Sequence, residues 1–332
     1  MIQSFRALVV DKQEEEFSVE VRNLSLEDLP KSDIVIRVHY SGINYKDSLA
    51  AIPNGNIVQN YPMVPGIDLA GVVVSSTDKR FVEGDEVIAT SYEIGVSHFG
   101  GYSEYARVRA DWVVPLPKGL TLKEAMIIGT AGFTAALSIQ RLEENNLSKE
   151  KGKVLVTGAT GGVGSFAVSF LSTLGYEVEA STGKTDEIDY LHSIGAQSIV
   201  SREEVYDGKI RALGTQKWAA AVDPVGGEPL ASLLSQIAYG GSVAVSGLTA
   251  GTSVPTAVFP FILRSVNLLG IDSVYCPMET RLKVWHRLAT DLKLSNMEQL
   301  VQNEISLDEL PNALPVLLES QARGRTIVTF VS

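Results

Sequence analysis

Apolar and polar residues alternate in short runs along the first third of the chain, and Gly, Pro and Asp separate the runs. Residues 7–10, 34–40, 70–75, 86–90 and 106–109 are of this β type, and their close spacing predicts a compact, partly closed all-β arrangement. The texture changes at Leu122. Residues 123–138 and then 137–146 read as helical, up to a Ser-Lys-Glu-Lys-Gly turn. From there strands alternate with helices. The strands fall at 154–156, 177–181, 198–200, 219–223, 242–246 and 268–271, with helices over 187–194, 229–237 and 259–265. Such alternation predicts an α/β fold with a doubly wound, six-stranded parallel sheet, the Rossmann arrangement. Beyond it lie a helix with Trp285 and Leu288, a helix over 307–318 and a last strand, 326–331. That strand has no neighbour in the parallel sheet and is assigned to the β-rich part. The expected division is therefore 1–125 with 272–332 as a β-rich domain, and 126–271 as the doubly wound α/β domain.

The run at 154–156 feeds directly into Thr157-Gly158-Ala159-Thr160-Gly161-Gly162-Val163-Gly164, and an apolar, helix-like stretch over 166–174 follows. Strand, glycine-rich turn and helix in that order are the context of a dinucleotide-binding fingerprint. Read as Ala159-x-Gly161-x-x-Gly164, the turn has Ala where the usual motif has its first Gly. Gly161 would let the backbone approach a pyrophosphate, and Gly164 would let the helix pack on the strand. Thr160, Gly161, Gly162 and Val163 then present the N-terminus of a helix, whose N–H groups and dipole favour phosphate.

In such folds the second strand usually ends in a carboxylate for the adenosine ribose. Here Ser181, Thr182, Gly183 and Lys184 stand at that end, and Arg202 follows the third strand. Two hydroxyls and two cations suit a 2′-phosphate, so NADPH is the expected cofactor. A rival reading remains open: Glu179, about twenty residues after Ala159, would hold the ribose if the strand ended two residues earlier. Read without function, Lys184 and Arg202 are surface cations. Further on, Ser246-Gly247-Leu248 ends a strand, where Gly247 would admit the nicotinamide close to the backbone.

Composition narrows the partners. A net charge of −11, with no basic stripe, argues against nucleic acid and against an anionic membrane surface. The first ten residues hold too short an apolar run for a signal peptide, and no uninterrupted apolar run looks long enough to cross a bilayer. The single cysteine, Cys276, excludes an intramolecular disulfide and reads as a small core hydrophobe. A cytoplasmic protein without a metal is the expectation.

Asn44-Tyr45-Lys46-Asp47 and Pro65-Gly66-Ile67-Asp68-Leu69-Ala70-Gly71 resemble segments of the medium-chain dehydrogenase/reductase superfamily, in its zinc-independent quinone-oxidoreductase-like branch. The segments from His98 to Ala106, Asp111 to Pro117, Gly129 to Ala135, Ser181 to Lys184, Pro260 to Arg264, Gly270 to Val274 and Arg323 to Arg325 sharpen the match. Together they look like the NADPH-dependent acryloyl-CoA reductase subgroup, from end to end. The resemblance implies a GroES-like β-rich catalytic domain beside the Rossmann domain. It also implies that Asn44, Ile67 and Thr130 stand where zinc-dependent members carry Cys, His and Cys, so no catalytic metal is expected. Cofactor contacts are implied for Tyr45, Thr160 to Val163, Thr182 to Lys184, Arg202, Leu248, Ile262 and Ser273. Departures are small: Lys184 stands where Arg is common, and Phe259 where Met is common.

The function so implied is NADPH-dependent reduction of an activated carbon–carbon double bond, in acryloyl-CoA or a similar small enoyl thioester. Tyr45 is the candidate catalytic residue, as hydrogen-bond donor to the enolate oxygen or proton source at the α-carbon. Read without function, Tyr45 is a half-buried strand aromatic, Asp47 a helix cap and His98 a loop histidine. Reduction of quinones or other enones is the alternative within the class; a non-catalytic NADPH-binding sensor or structural protein is the alternative outside it. The apolar last sheet strand, 266–271, at a sheet edge points to homodimerisation.

Overall fold

The computed structural model describes residues 4–14, 16–319 and 322–331. Two compact units divide the chain: Met1–Thr130, Val274–Ala289 and Val301–Ser332 form one, and Ala131–Ser273 with Thr290–Leu300 the other. Relative to the division read from sequence, residues 126–130 fall in the first unit, while 272–273 and Thr290–Leu300 fall in the second. The last segment buries Leu292, Leu294, Met297 and Leu300 and lines one shallow cavity with Ser169, Ser172 and Gly195. An apolar loop of irregular spacing carries no periodic signal, so the sequence does not reveal its allegiance.

The second unit is built on six parallel strands. Their order across the sheet is Ser198–Ser201, Val178–Thr182, Val154–Val156, Trp218–Asp223, Ile237–Val245 and Asn267–Gly270. Val154, Leu155, Val156, Ala221 and Val222 are wholly buried, as expected of strands covered on both faces. Leu155, Trp218, Leu230, Leu233, Leu234, Ile237 and Val243 share one core. The helix expected over 229–237 spans Gly227–Leu234, and Ile237 already pairs with Trp218 in the sheet. One apolar run serves both elements, which is why its period is ambiguous.

In the first unit a mixed seven-stranded sheet runs through Val301–Ser306, Arg325–Thr329, Ile34–Gly42, Asp68–Ser76, Glu86–Thr90 and Val113–Pro115, with Tyr105–Val108 also paired to Ile34–Gly42. Ile34, Ile36 and Val38 point inward at every second position, onto Leu69, Val87, Ala106 and Trp112. The last strand pairs antiparallel with Ile34–Gly42, Ile327 opposite Gly42. A separate hairpin joins Phe5–Gln13 to Glu16–Leu24. Sequence reading misses the second hairpin strand, although Phe17, Val19 and Val21 alternate. It also misses the helix Tyr45–Ala50, whose six residues are too few to show a period.

The helix Leu122–Glu144 corrects the expectation on apolar length. It is 23 residues long and apolar enough to cross a membrane, but 83% of its apolar window is buried in the protein. Gly129, at φ 47° and ψ −156°, breaks it. It is a core helix.

Candidate active site

The glycine turn after Val154–Val156 is tighter than the motif alignment suggests. Gly158 adopts φ 53°, in the left-handed region that favours glycine, so it supplies the turn that Ala159 lacks. A Cβ on Gly164 would stand 2.3 Å from the Gly158 carbonyl oxygen, and the helix Gly162–Thr173 approaches the strand only because none is there. A Cβ on Gly161 would meet only that same oxygen, at 3.3 Å. The helix N-terminus at Gly161, Gly162 and Val163 is therefore uncrowded, which suits an incoming diphosphate. Thr160 is buried beside it.

Ser181 and Thr182 end the neighbouring strand, and the Ser181 carbonyl accepts the Ala159 N–H at 3.2 Å. Lys184 N–H donates to Thr182 Oγ1 at 3.0 Å. A Cβ on Gly183 would lie 2.7 Å from Arg202 Nε and 2.8 Å from its Cζ, so the guanidinium packs directly on Gly183. Burial lowers the Lys184 ammonium pKa, and the Arg202 charge lowers it further against the pull of Glu187 and Asp186. Two cations thus face one strand end that carries no carboxylate, a setting fitted to a 2′-phosphate.

Glu179 is withdrawn from that edge. Its Oε1 accepts Ser198 Oγ at 2.7 Å and Lys153 Nζ at 3.1 Å, and its Oε2 accepts Trp218 Nε1 at 2.7 Å. The alternative in which Glu179 holds the ribose is corrected: its carboxylate ties adjacent strands together inside the sheet.

Gly247 also needs a correction. A Cβ there would stand 2.0 Å from the Pro224 carbonyl oxygen, so its missing side chain serves the contact between two loops at the strand ends. Leu248 and Ile262 are largely exposed. Ser273 Oγ accepts the Thr134 hydroxyl at 2.9 Å. These residues, with Thr160 to Lys184 and Arg202, belong to the second unit; Tyr45 belongs to the first.

Tyr45 is the first residue of the helix Tyr45–Ala50, not a strand aromatic, and is 45% exposed. Asp47 does more than cap this helix. Its Oδ2 accepts the Asn44 N–H at 2.9 Å and its Oδ1 the Ile67 N–H at 2.9 Å. Burial and the charge of Asp68 push the Asp47 pKa up to about 7. The buried Tyr102 hydroxyl donates to the Gly42 carbonyl at 3.2 Å.

Asn44, Ile67 and Thr130 do converge. Asn44 Nδ2 and Thr130 N–H both donate to Asp68 Oδ2 at 2.8 Å, and the Thr130 hydroxyl donates to Oδ1 at 2.5 Å. Ser91, its backbone at φ 64°, places its own hydroxyl 3.0 Å from that of Thr130. An amide, a sec-butyl group and a hydroxyl make a poor zinc donor set, and the two carboxylates beside them, Asp47 and Asp68, are spent on hydrogen bonds. The residues do not fit a catalytic zinc. Nor do the described residues contain any group of three or more His, Cys, Asp or Glu placed to hold a metal.

Sequence reading does not single out Asp68 and Arg325 as site residues. The signal was a carboxylate at the head of an apolar strand and an arginine opening another. His98 and Cys276 are structural: His98 Nε2 bonds the Arg107 carbonyl at 2.7 Å, and Cys276 is buried.

Known proteins match both units. The family described as "Alcohol dehydrogenase GroES-like domain" matches residues 30–118, and that described as "Zinc-binding dehydrogenase" matches residues 162–290. Acrylyl-CoA reductase AcuI of Ruegeria pomeroyi is 49% identical over 98% of each chain. YhfP of Bacillus subtilis, named as a quinone oxidoreductase, is 61% identical over 98% of each chain. Its crystal structure with NAD bound superposes with a TM-score of 0.97, covering 99% of this chain and 100% of that one. The structure of Escherichia coli YhdH with bound NADPH is 46% identical, with a TM-score of 0.94 over 98% of this chain and 100% of that one. Likeness this extensive, joined to the glycine turn and the altered ligand positions, places the family: the chain belongs to the medium-chain dehydrogenase/reductase superfamily, in its zinc-independent acryloyl-CoA reductase subgroup.

Proposed function

We propose that this protein uses NADPH to reduce the conjugated double bond of acryloyl-CoA or a similar small enoyl thioester. The observation that carries the reading is that Asn44, Ile67 and Thr130 form no metal site: Asn44 and Thr130 are hydrogen-bonded to Asp68, and the Ile67 N–H to Asp47. Reduction of a simple ketone gains from a metal that polarises the carbonyl. A conjugated thioester needs only a hydrogen-bond donor where enolate charge develops.

Bound NADPH supplies a hydride for the β-carbon. Gly161, Gly162 and Val163 receive the diphosphate at the helix N-terminus, and Ser181, Thr182, Lys184 and Arg202 receive the 2′-phosphate. Leu248, Ile262 and Ser273 border the nicotinamide half. Tyr45 donates a hydrogen bond to the thioester oxygen or a proton to the α-carbon. Sequence kinship to AcuI supports the substrate class. The YhfP name supports a second reading, quinone reduction, which shares the electrophilic conjugated system.

The proposal includes a homodimer in the cytoplasm. Asn267–Gly270 is the edge strand of its sheet, Leu268 on it is exposed, and so are Val258, Phe259 and Leu263 nearby in sequence. Such an edge is a liability unless paired or covered.

Reduction of acryloyl-CoA with NADPH deuterated at the transferable position, run in ordinary water, tests the chemistry. Deuterium at the β-carbon of propanoyl-CoA, with solvent hydrogen at the α-carbon, is expected. No thioester product, alongside quinone turnover, would favour the second reading.

A further inference from the structure

Arg325 opens the last strand of the first unit, yet its guanidinium is buried inside the protein, with Nε and Nη1 hydrogen-bonded there. Nε donates to the Ile127 carbonyl at 3.0 Å, and one Nη1 donates to the Ile43 carbonyl at 2.9 Å and to Asn44 Oδ1 at 3.0 Å. Nη2 lies 3.9 Å from Asp68 Oδ2, with both side chains nearly inaccessible. Side chains are missing where the pair sits. A Cβ on Gly42 would stand 2.7 Å from Nη2, and one on Gly129 would stand 2.8 Å from Nη2 and 2.6 Å from Asp68 Oδ2.

Buried ionic groups are a costly way to join two segments, because apolar residues of equal volume do so without desolvating charge. Charged hydrogen bonds add direction instead. Both Nη1 bonds of Arg325 and one bond to Asp68 end on one turn. Ile43 is held through its carbonyl, Asn44 through both ends of its amide and its N–H, and Asp47 through Asn44 and Ile67. Between these clamped residues, Tyr45 projects outward.

We infer that Arg325 and Asp68 are positioning residues for Tyr45. They lock the Ile43–Asn44 segment and the first turn of the Tyr45–Ala50 helix, so that the phenol is presented at one fixed place and angle. The inference rests on the reading of Tyr45 as the donor in the proposed reduction. Lys at 325 would keep the charge but lose the fork that reaches Ile127, Ile43 and Asn44 together.

The test compares Arg325→Lys and the isosteric Thr130→Val, each alone and in a Tyr45→Phe background. Amide hydrogen exchange is followed over residues 43–50, with the Phe5–Leu24 hairpin of the same unit as control. In Arg325→Lys, exchange over 43–50 should quicken by about tenfold or more while the hairpin is unchanged. The kcat for acryloyl-CoA should fall by about tenfold or more with the KM for NADPH within about twofold. In the Tyr45→Phe background that further fall should shrink to below about threefold, because the two residues act as one unit. Thr130→Val should shift both readouts in the same direction, less far, and it judges the inference if Arg325→Lys does not fold. Unchanged exchange over 43–50, or an equal loss of kcat in both backgrounds, would overturn the inference. If Tyr45→Phe alone leaves kcat untouched, the donor role of Tyr45 fails instead, and the exchange data still decide whether Arg325 holds the turn.

Discussion

Arg202 packs so tightly on Gly183 that a methyl group there would stand 2.7 Å from its Nε. With Lys184 next in sequence, the contact fixes two cations at the strand end where many dinucleotide folds carry a carboxylate. Charge-assisted hydrogen bonds are worth about 1.5–3 kcal/mol each, or roughly ten- to a hundredfold in affinity. Lys184→Ala should raise the KM for NADPH by that factor and spare NADH. Gly183→Ala should act the same way by displacing Arg202. Steady-state kinetics with both cofactors check this, and equal effects on NADPH and NADH would contradict it.

Metal dependence follows from Asn44, Ile67 and Thr130. Elemental analysis of the purified protein should find no stoichiometric zinc, and activity should survive chelation. One tightly held zinc per chain would contradict the assignment of these three positions.

Asp47 makes stability depend on pH. Its folded pKa, pushed up to about 7 by burial and by Asp68, lies above the unfolded value of about 3.9. The folded protein therefore holds a proton that the unfolded chain has released. Stability is fully present below the unfolded value and falls as pH rises through 7. Denaturation midpoints should drop between pH 5 and pH 8, and Asp47→Asn should flatten that slope. An unchanged slope in the variant would show that Asp47 is not the titrating group.

The parallel sheet was legible because each of its strands is a short apolar run and the glycine turn sits between a strand and a helix. The turn's working glycine was less so. Gly158 carries the positive φ, one place before the Ala159 that aligns with the motif. The network around Arg325 was hidden for another reason: Arg325 and Asn44 lie 281 residues apart, and no local pattern records such a pairing. Asp68, following Ile67 into an apolar strand, and Arg325, opening another, are the local signs that a buried charge needs a partner. The sequence offers Gly247 to a ligand, whereas its space belongs to Pro224, since a sequence does not say which neighbour excludes a side chain.

Dimerisation should depend on the exposed apolar edge. Leu268→Glu and Leu263→Glu together place charge where pairing would bury it, so sedimentation should show the wild type as a dimer and this variant as a monomer. A monomeric wild type at micromolar concentration would contradict the proposal.

Reduction of a small enoyl thioester by NADPH stands or falls on one comparison of rates. On a single chelated preparation, kcat/KM is measured for acryloyl-CoA and for a benzoquinone, each with NADPH and with NADH. Acryloyl-CoA with NADPH should exceed every other pairing by about tenfold or more. A quinone that equals acryloyl-CoA, or a preference for NADH with acryloyl-CoA, would contradict it.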